Sequence, residues 1–164
     1  MINNEMIFTK DLPNKKINVV RAFAAPLADV WAAWTEPELL DQWWAPRPYR
    51  AETKIMDFRE GGMWIYAMTG PQGDSTLCKE AYKTIAVKKS ITNKVSFCDE
   101  EYKDNPDFPL MYWSKGFEAK DEATTVNMEI TFDSEADLQT IISMGFEEGF
   151  KMGMGNLDEL LAEK

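Results

Sequence analysis

The chain contains no histidine. That removes Ser-His-Asp and Cys-His catalysis and the commonest zinc, copper and iron sites. Acid–base work would then fall to Asp, Glu, Tyr or Lys with a pKa shifted by burial. Glu80, Tyr82 and Glu118 lie in predicted strands, but no set of residues has the spacing of a known mechanism. No catalytic residue, metal ligand or cofactor motif is therefore assigned. Cys78 and Cys98 also fall in predicted strands and are expected to be buried, reduced thiols. Arg21 shares a strand face with Ile17, Val19 and Phe23, which is an unusual place for a charge. Two readings stay open: a guanidinium that snorkels or pairs with a carboxylate, and one that faces a ligand.

The residues that stand out instead are aromatic. Six Trp, five Tyr and nine Phe are joined by ten Met, a mixture suited to a roomy, adaptable interior. Four of the six tryptophans (Trp31, Trp34, Trp43, Trp44) lie within residues 21–46. A pair of short helices cannot bury that much aromatic surface alone, so a sheet or a cavity must receive it.

The elements that would do so follow in order. Residues 1–16 form a polar N-terminal segment with an apolar patch at Met6–Phe8, suited to an edge strand. Ile17–Phe23 is a predicted strand. Pro26–Trp34 reads as a helix with Leu27, Val30, Trp31 and Trp34 at helical spacing. Thr35 then caps a second helix carrying Leu39, Leu40, Trp43 and Trp44, with Pro37 early and Glu38 three residues on. Strands are predicted at Tyr49–Phe58, Met63–Met68, Ser75–Lys88, Ile91–Cys98, Leu110–Ala119 and Thr124–Phe132, hairpin-linked and hence antiparallel. Asp99–Pro109 is an acidic loop. Ser134, with Asp137 three residues later, caps one long helix to about Leu161. Gly145, Gly149 and Gly153 recur every four residues in it, each costing roughly 1 kcal/mol relative to Ala. They suit either close packing of helix on sheet or a floor left open for a ligand. One domain spanning 1–164 is expected.

A net charge of −10 disfavours nucleic acid and anionic membranes as partners. No basic-then-apolar leader and no apolar run of membrane length is present, which leads to the expectation of a cytoplasmic protein. The face Met63, Ile65, Ala67 is apolar opposite an already apolar Trp64, Tyr66, Met68 face. Covering by the N-terminal segment or a homodimer would account for it.

Several motifs together resemble one family. They are Arg21-Ala22-Phe23-x-x-Pro26, Val30-Trp31-x-x-Trp34-Thr35-x-Pro37-x-x-Leu40-x-x-Trp43-Trp44-x-Pro46, Asp57-x-Arg59-x-Gly61-Gly62-x-Trp64, Met68-x-Gly70-Pro71-x-Gly73 and Met144-Gly145-Phe146-x-x-Gly149. The chain is similar to bacterial relatives of the C-terminal domain of the heat-shock protein 90 ATPase activator homologue, in the START-like (Bet v 1-like, SRPBCC) superfamily. The resemblance implies an α+β helix-grip fold, β-α-α-β(about 6)-α, whose curved antiparallel sheet wraps a long C-terminal helix around an apolar cavity. It implies function less directly, because the superfamily includes binders of hydrophobic molecules, cyclases and ring-hydroxylase subunits.

A small hydrophobic ligand is the leading expectation. Its cavity candidates are Arg21, Trp34, Trp43, Trp44, Trp64, Tyr66, Met68, Tyr82, Trp113, Phe117, Met144, Phe146, Gly149 and Phe150. The alternatives are a module acting on a heat-shock protein 90 homologue, which rests on the resemblance alone, and a His-free cyclase or hydrolase.

Overall fold

Strand β2 (Lys16–Phe23) sets the frame: every second residue, from Ile17 to Phe23, is buried. The side-chain period of a strand places those residues on one face, and that face looks onto the helices. The computed structural model describes residues 5–163; residues 1–4, part of the expected N-terminal segment, and residue 164 lie outside the described residues. β1 (Ile7–Asp11) pairs with β2 as an edge strand. The remaining strands are β3 (Arg50–Met56), β4 (Met63–Thr69), β5 (Ser75–Ala86), β6 (Ser90–Phe97), β7 (Met111–Lys120) and β8 (Ala123–Thr131). All eight join one curved antiparallel sheet in the order β1-β2-β8-β7-β6-β5-β4-β3. Four helices complete an α+β helix-grip fold: α1 (Leu27–Thr35), α2 (Pro37–Trp43), α3 (Glu135–Ser143) and α4 (Phe146–Ala162).

Thr35 does not cap α2. It closes α1, where its hydroxyl donates to the Trp31 carbonyl at 2.8 Å. The cap position belongs to Glu36, whose φ of −93° and ψ of 125° are extended. The residue before a proline is pushed out of the helical region, so Pro37 itself separates the two helices. The C-terminal end of α2 is tied to α4 by Asn156, whose amide donates to the carbonyls of Trp43 (3.4 Å) and Ala45 (3.1 Å). The Trp43 carbonyl, at the last residue of α2, is among those that helix geometry leaves without an intrahelical partner.

The long C-terminal helix is broken. Ser134 accepts from the Asp137 N–H at 3.0 Å and starts α3. Gly145 then adopts a φ of +86°, which ends α3 and redirects the chain into α4. Left-handed backbone is cheap for glycine alone. Gly149 and Gly153 do not pack on the sheet. A Cβ at Gly149 would lie 3.6 Å from Pro46, and one at Gly153 would lie 3.5 Å from the Trp44 carbonyl. The small residues therefore let α4 approach the chain leaving α2.

The outer face of β4 is not an exposed patch. Ile65 and Ala67 are buried within this chain, which removes the basis for expecting a homodimer there. Ile65 is paired with Lys79, and the segment after β6 folds back beside it. Lys79 Nζ donates to the Tyr102 carbonyl at 3.0 Å. Lys94 Nζ and Ser96 Oγ each donate to Asp104 at 2.8 Å. Among the described residues, no helix is long and apolar enough to cross a membrane.

Candidate functional site: an apolar cavity beside a buried ion pair

The concave face of the sheet and the helices enclose two different regions. On one side is a packed aromatic core. Trp34 and Trp43 meet edge to face with centroids 4.8 Å apart, and Phe117 lies 5.0 Å from Trp31. Trp43 is buried, and its indole N–H donates to the Ala33 carbonyl at 2.8 Å. Trp64 donates to Thr53 Oγ1 at 3.0 Å.

On the other side is a cavity of about 230 Å³ between the sheet and the α3–α4 turn. Trp44 and Pro46 bound it after α2, and Tyr66, Met68 and Cys78 on β4 and β5. Val95 and Phe97 on β6, with Met111 and Trp113 on β7, continue the wall. Ile141, Met144, Phe146, Gly149 and Phe150 close it from the helices. The cavity reaches the surface beside Met144, which is 50% exposed. Phe146 and Phe150 stack with an interplanar angle of 7°, as residues four apart on a helix can.

A buried ion pair divides the two regions. Parity along β7 puts Met111, Trp113, Lys115 and Phe117 on the buried face. Lys115 Nζ lies 3.8 Å from Glu80 Oε1. It also faces the rings of Trp34, Trp44 and Trp113 at 5.6, 5.9 and 5.5 Å, cation–π contacts that replace part of its lost hydration. Glu80 accepts from the Asn93 amide at 2.7 Å. Burial pushes the Glu80 carboxyl up and the Lys115 ammonium down, and the attraction between them opposes both shifts. From this pair a chain of contacts leads to the cavity. The Tyr66 hydroxyl donates to Glu80 Oε2 across 3.5 Å, the long limit of a hydrogen bond. The same hydroxyl oxygen accepts from the Trp44 indole at 2.8 Å. Burial holds the Tyr66 phenol well above its ordinary range and pushes the Cys78 thiol up to about 12. Neither is a nucleophile at neutral pH.

Of the residues singled out in the sequence, Trp44, Tyr66, Met68 and Trp113 line the cavity from the sheet side and the end of α2. Met144, Phe146, Gly149 and Phe150 line it from the helices. Six others lie elsewhere. Trp34, Trp43, Trp64 and Phe117 pack in the core. Tyr82 packs on Phe58 at 5.0 Å, its hydroxyl 3.8 Å from Met56 Sδ. Arg21 forms an ion pair with Asp158 on α4 and donates to the Ala22 carbonyl at 2.8 Å. Its guanidinium thus has a structural partner. Glu118 is exposed, and Cys78 and Cys98 are free and buried. Lys115 was not singled out, although alternation between Trp113 and Phe117 points it inward. Pro46, Cys78, Val95, Phe97, Met111 and Ile141 were also missed as wall residues. The Asp57–Gly62 motif is a turn: Gly61 has a φ of +85°, and a Cβ on Gly62 would lie 2.1 Å from the Asp57 carbonyl.

With this geometry in view, comparisons with known proteins are consistent in one direction. A structure from Mycobacterium smegmatis matches with a TM-score of 0.87 and 27% identity, covering 96% of this chain and 97% of its own. One from Arthrobacter aurescens matches with a TM-score of 0.90 and 28% identity, covering 96% and 92%. One from Staphylococcus epidermidis matches with a TM-score of 0.84 and 28% identity, covering 96% and 94%. No curated protein matches the chain. The model of the family described as "Activator of Hsp90 ATPase homolog 1-like protein" matches residues 24–162, and the chain belongs to that family.

Proposed function

We propose that this protein binds a small hydrophobic molecule in the cavity between the sheet and α4. The observation that carries this reading is a cavity of about 230 Å³ with no charged residue on its wall among the described residues, beside a cluster of buried aromatic and aliphatic side chains. Protein interiors rarely leave such space unfilled, and ligand pockets are apolar with a few oriented polar groups. Tyr66 supplies such a group here, held by Trp44 on one side and Glu80 on the other. Metal cations are an unsuitable cargo, because the described wall presents no carboxylate.

The test is a thermal-shift and calorimetric screen of compact hydrophobic molecules against the full chain. Ligands in the cavity raise Tm by mass action, since they bind the folded state alone. The shift should disappear in Gly149→Leu, which projects a side chain from α4 at the cavity wall. If no compound moves Tm, or if the shift persists unchanged in Gly149→Leu, the proposal fails.

A further inference from the structure

We infer that the ligand is a compact, uncharged ring compound bearing a carbonyl-type hydrogen-bond acceptor, which the Tyr66 hydroxyl recognises. This rests on the binding role proposed above and narrows it by size, charge and hydrogen-bonding sense.

Size comes first. The cavity volume is about 230 Å³. Pockets for drug-sized ligands run from roughly 300 to 1,000 Å³. A monocyclic or fused bicyclic molecule fits within it, whereas a sterol or a long acyl chain would have to project through the opening beside Met144.

Charge comes next. Every described lining residue is neutral. The nearest cation, Lys115, is already engaged by Glu80 and three indole faces, and the Glu80 carboxylate stands directly behind Tyr66. A ligand carboxylate would be an unpaired buried charge beside another anion, which is strongly unfavourable.

The sense of the hydrogen bonds completes the description. Tyr66 already uses its oxygen to accept from Trp44 at 2.8 Å, whereas its own proton meets only weak acceptors, Glu80 Oε2 across 3.5 Å and the Cys78 sulfur. That proton is the group free to turn to a better acceptor. Trp113 lies on the same wall, and its indole N–H has no hydrogen-bond partner among the described residues, but the nitrogen is itself fully covered by protein and does not face the open space. The Trp34 N–H is also unpartnered but lies off the wall. Ser96 reaches the wall, but its hydroxyl is committed to Asp104 at 2.8 Å. A buried phenol proton without a strong acceptor calls for a ligand oxygen, because a buried donor left weakly paired is costly.

The experiment compares α-tetralone, its deoxygenated analogue tetralin, and α-naphthoate by titration calorimetry on the full chain. α-Tetralone should bind about five- to tenfold more tightly than tetralin, the worth of one net hydrogen bond, and α-naphthoate at least about tenfold more weakly than α-tetralone. In Tyr66→Phe the preference for the ketone should shrink to within about twofold. Equal binding of ketone and hydrocarbon, or tighter binding of the carboxylate, overturns the inference while leaving the binding role intact. So does a ketone preference that survives Tyr66→Phe. Binding of none of the three overturns the binding role itself and this inference with it. A measurement that needs no variant is the infrared carbonyl stretch of bound α-tetralone. A shift below its position in hexane supports the inference, and an unshifted band overturns it.

Discussion

Trp43 and Trp44 are neighbours in the chain and belong to different environments. Trp43 is 1% exposed, and its indole N–H is bonded to backbone within the α1–α2 hairpin. Trp44 is half-buried, lines the cavity and bonds to Tyr66. The contrast extends to the regions they face. Around Trp43, rings of α1, α2 and β7 fill the space between helices and sheet. Around Trp44, methionines, Gly149 and the turn at Gly145 leave it open. Abundant aromatic surface thus serves two ends, and what separates them is the Glu80–Lys115 pair, which touches rings belonging to both. A buried pair of this kind is weak evidence for net stability, but breaking it is expensive.

The largest expected effect comes from removing that divider. Lys115→Met leaves Glu80 buried without its countercharge and should cost about 3–5 kcal/mol in urea unfolding. The double variant Glu80→Gln, Lys115→Met should recover most of the loss. The pH dependence has a definite sign. Burial already raises the Glu80 carboxyl in the folded chain, and losing Lys115 raises it further. The folded variant then holds a proton that the unfolded chain releases, so its stability falls as pH rises above the ordinary carboxyl range and returns on acidification. Constant stability of Lys115→Met across pH 4–8 (roughly the window set by these groups) would contradict this account.

A smaller effect should separate the two tryptophans. Trp43→Phe loses buried volume and a satisfied hydrogen bond and should cost about 2–3 kcal/mol. Trp44→Phe should cost less, about 1 kcal/mol, while weakening the thermal shift given by cavity ligands. Equal losses in urea unfolding, with ligand response unchanged in both, would erase the distinction between core and cavity wall.

The smallest effect is a gain. Gly149→Ala restores helix propensity in α4, and its methyl would sit in ordinary contact with Pro46 at 3.6 Å. An increase of about 0.5–1 kcal/mol is expected in urea unfolding. A loss instead would mean that the cavity end tolerates no added atom.

Much of this architecture was legible before the fold was seen. Alternation on β4 and β7 placed Trp64, Tyr66, Trp113 and Phe117 on inward faces, and the capping residue Ser134 marked where the C-terminal helices begin. What alternation could not show was which inward residues meet empty space. Trp113 and Phe117 share a strand face, yet one lines the cavity and the other fills the core, because α1 covers only the latter. Arg21 is explained by Asp158, a partner 137 residues away, beyond the reach of any local pattern. The break at Gly145 was hidden because apolar spacing continues through Met144 and Phe146 as though one helix ran on. A glycine that packs and a glycine that turns the chain look the same in a sequence.

The succession of rings also has an optical consequence. Trp34, Trp43, Trp44 and Trp113 are linked by centroid distances of 4.8, 5.3 and 6.1 Å, and Trp64 joins Trp44 at 5.8 Å. Indole chromophores held this close and tilted to one another share their excitation, so they absorb and emit as a coupled array. A molecule that touched Trp44 or Trp113 would then register in the near-ultraviolet circular dichroism of the whole array. The folded chain carries its own spectroscopic gauge of whether the cavity is occupied, with no label added.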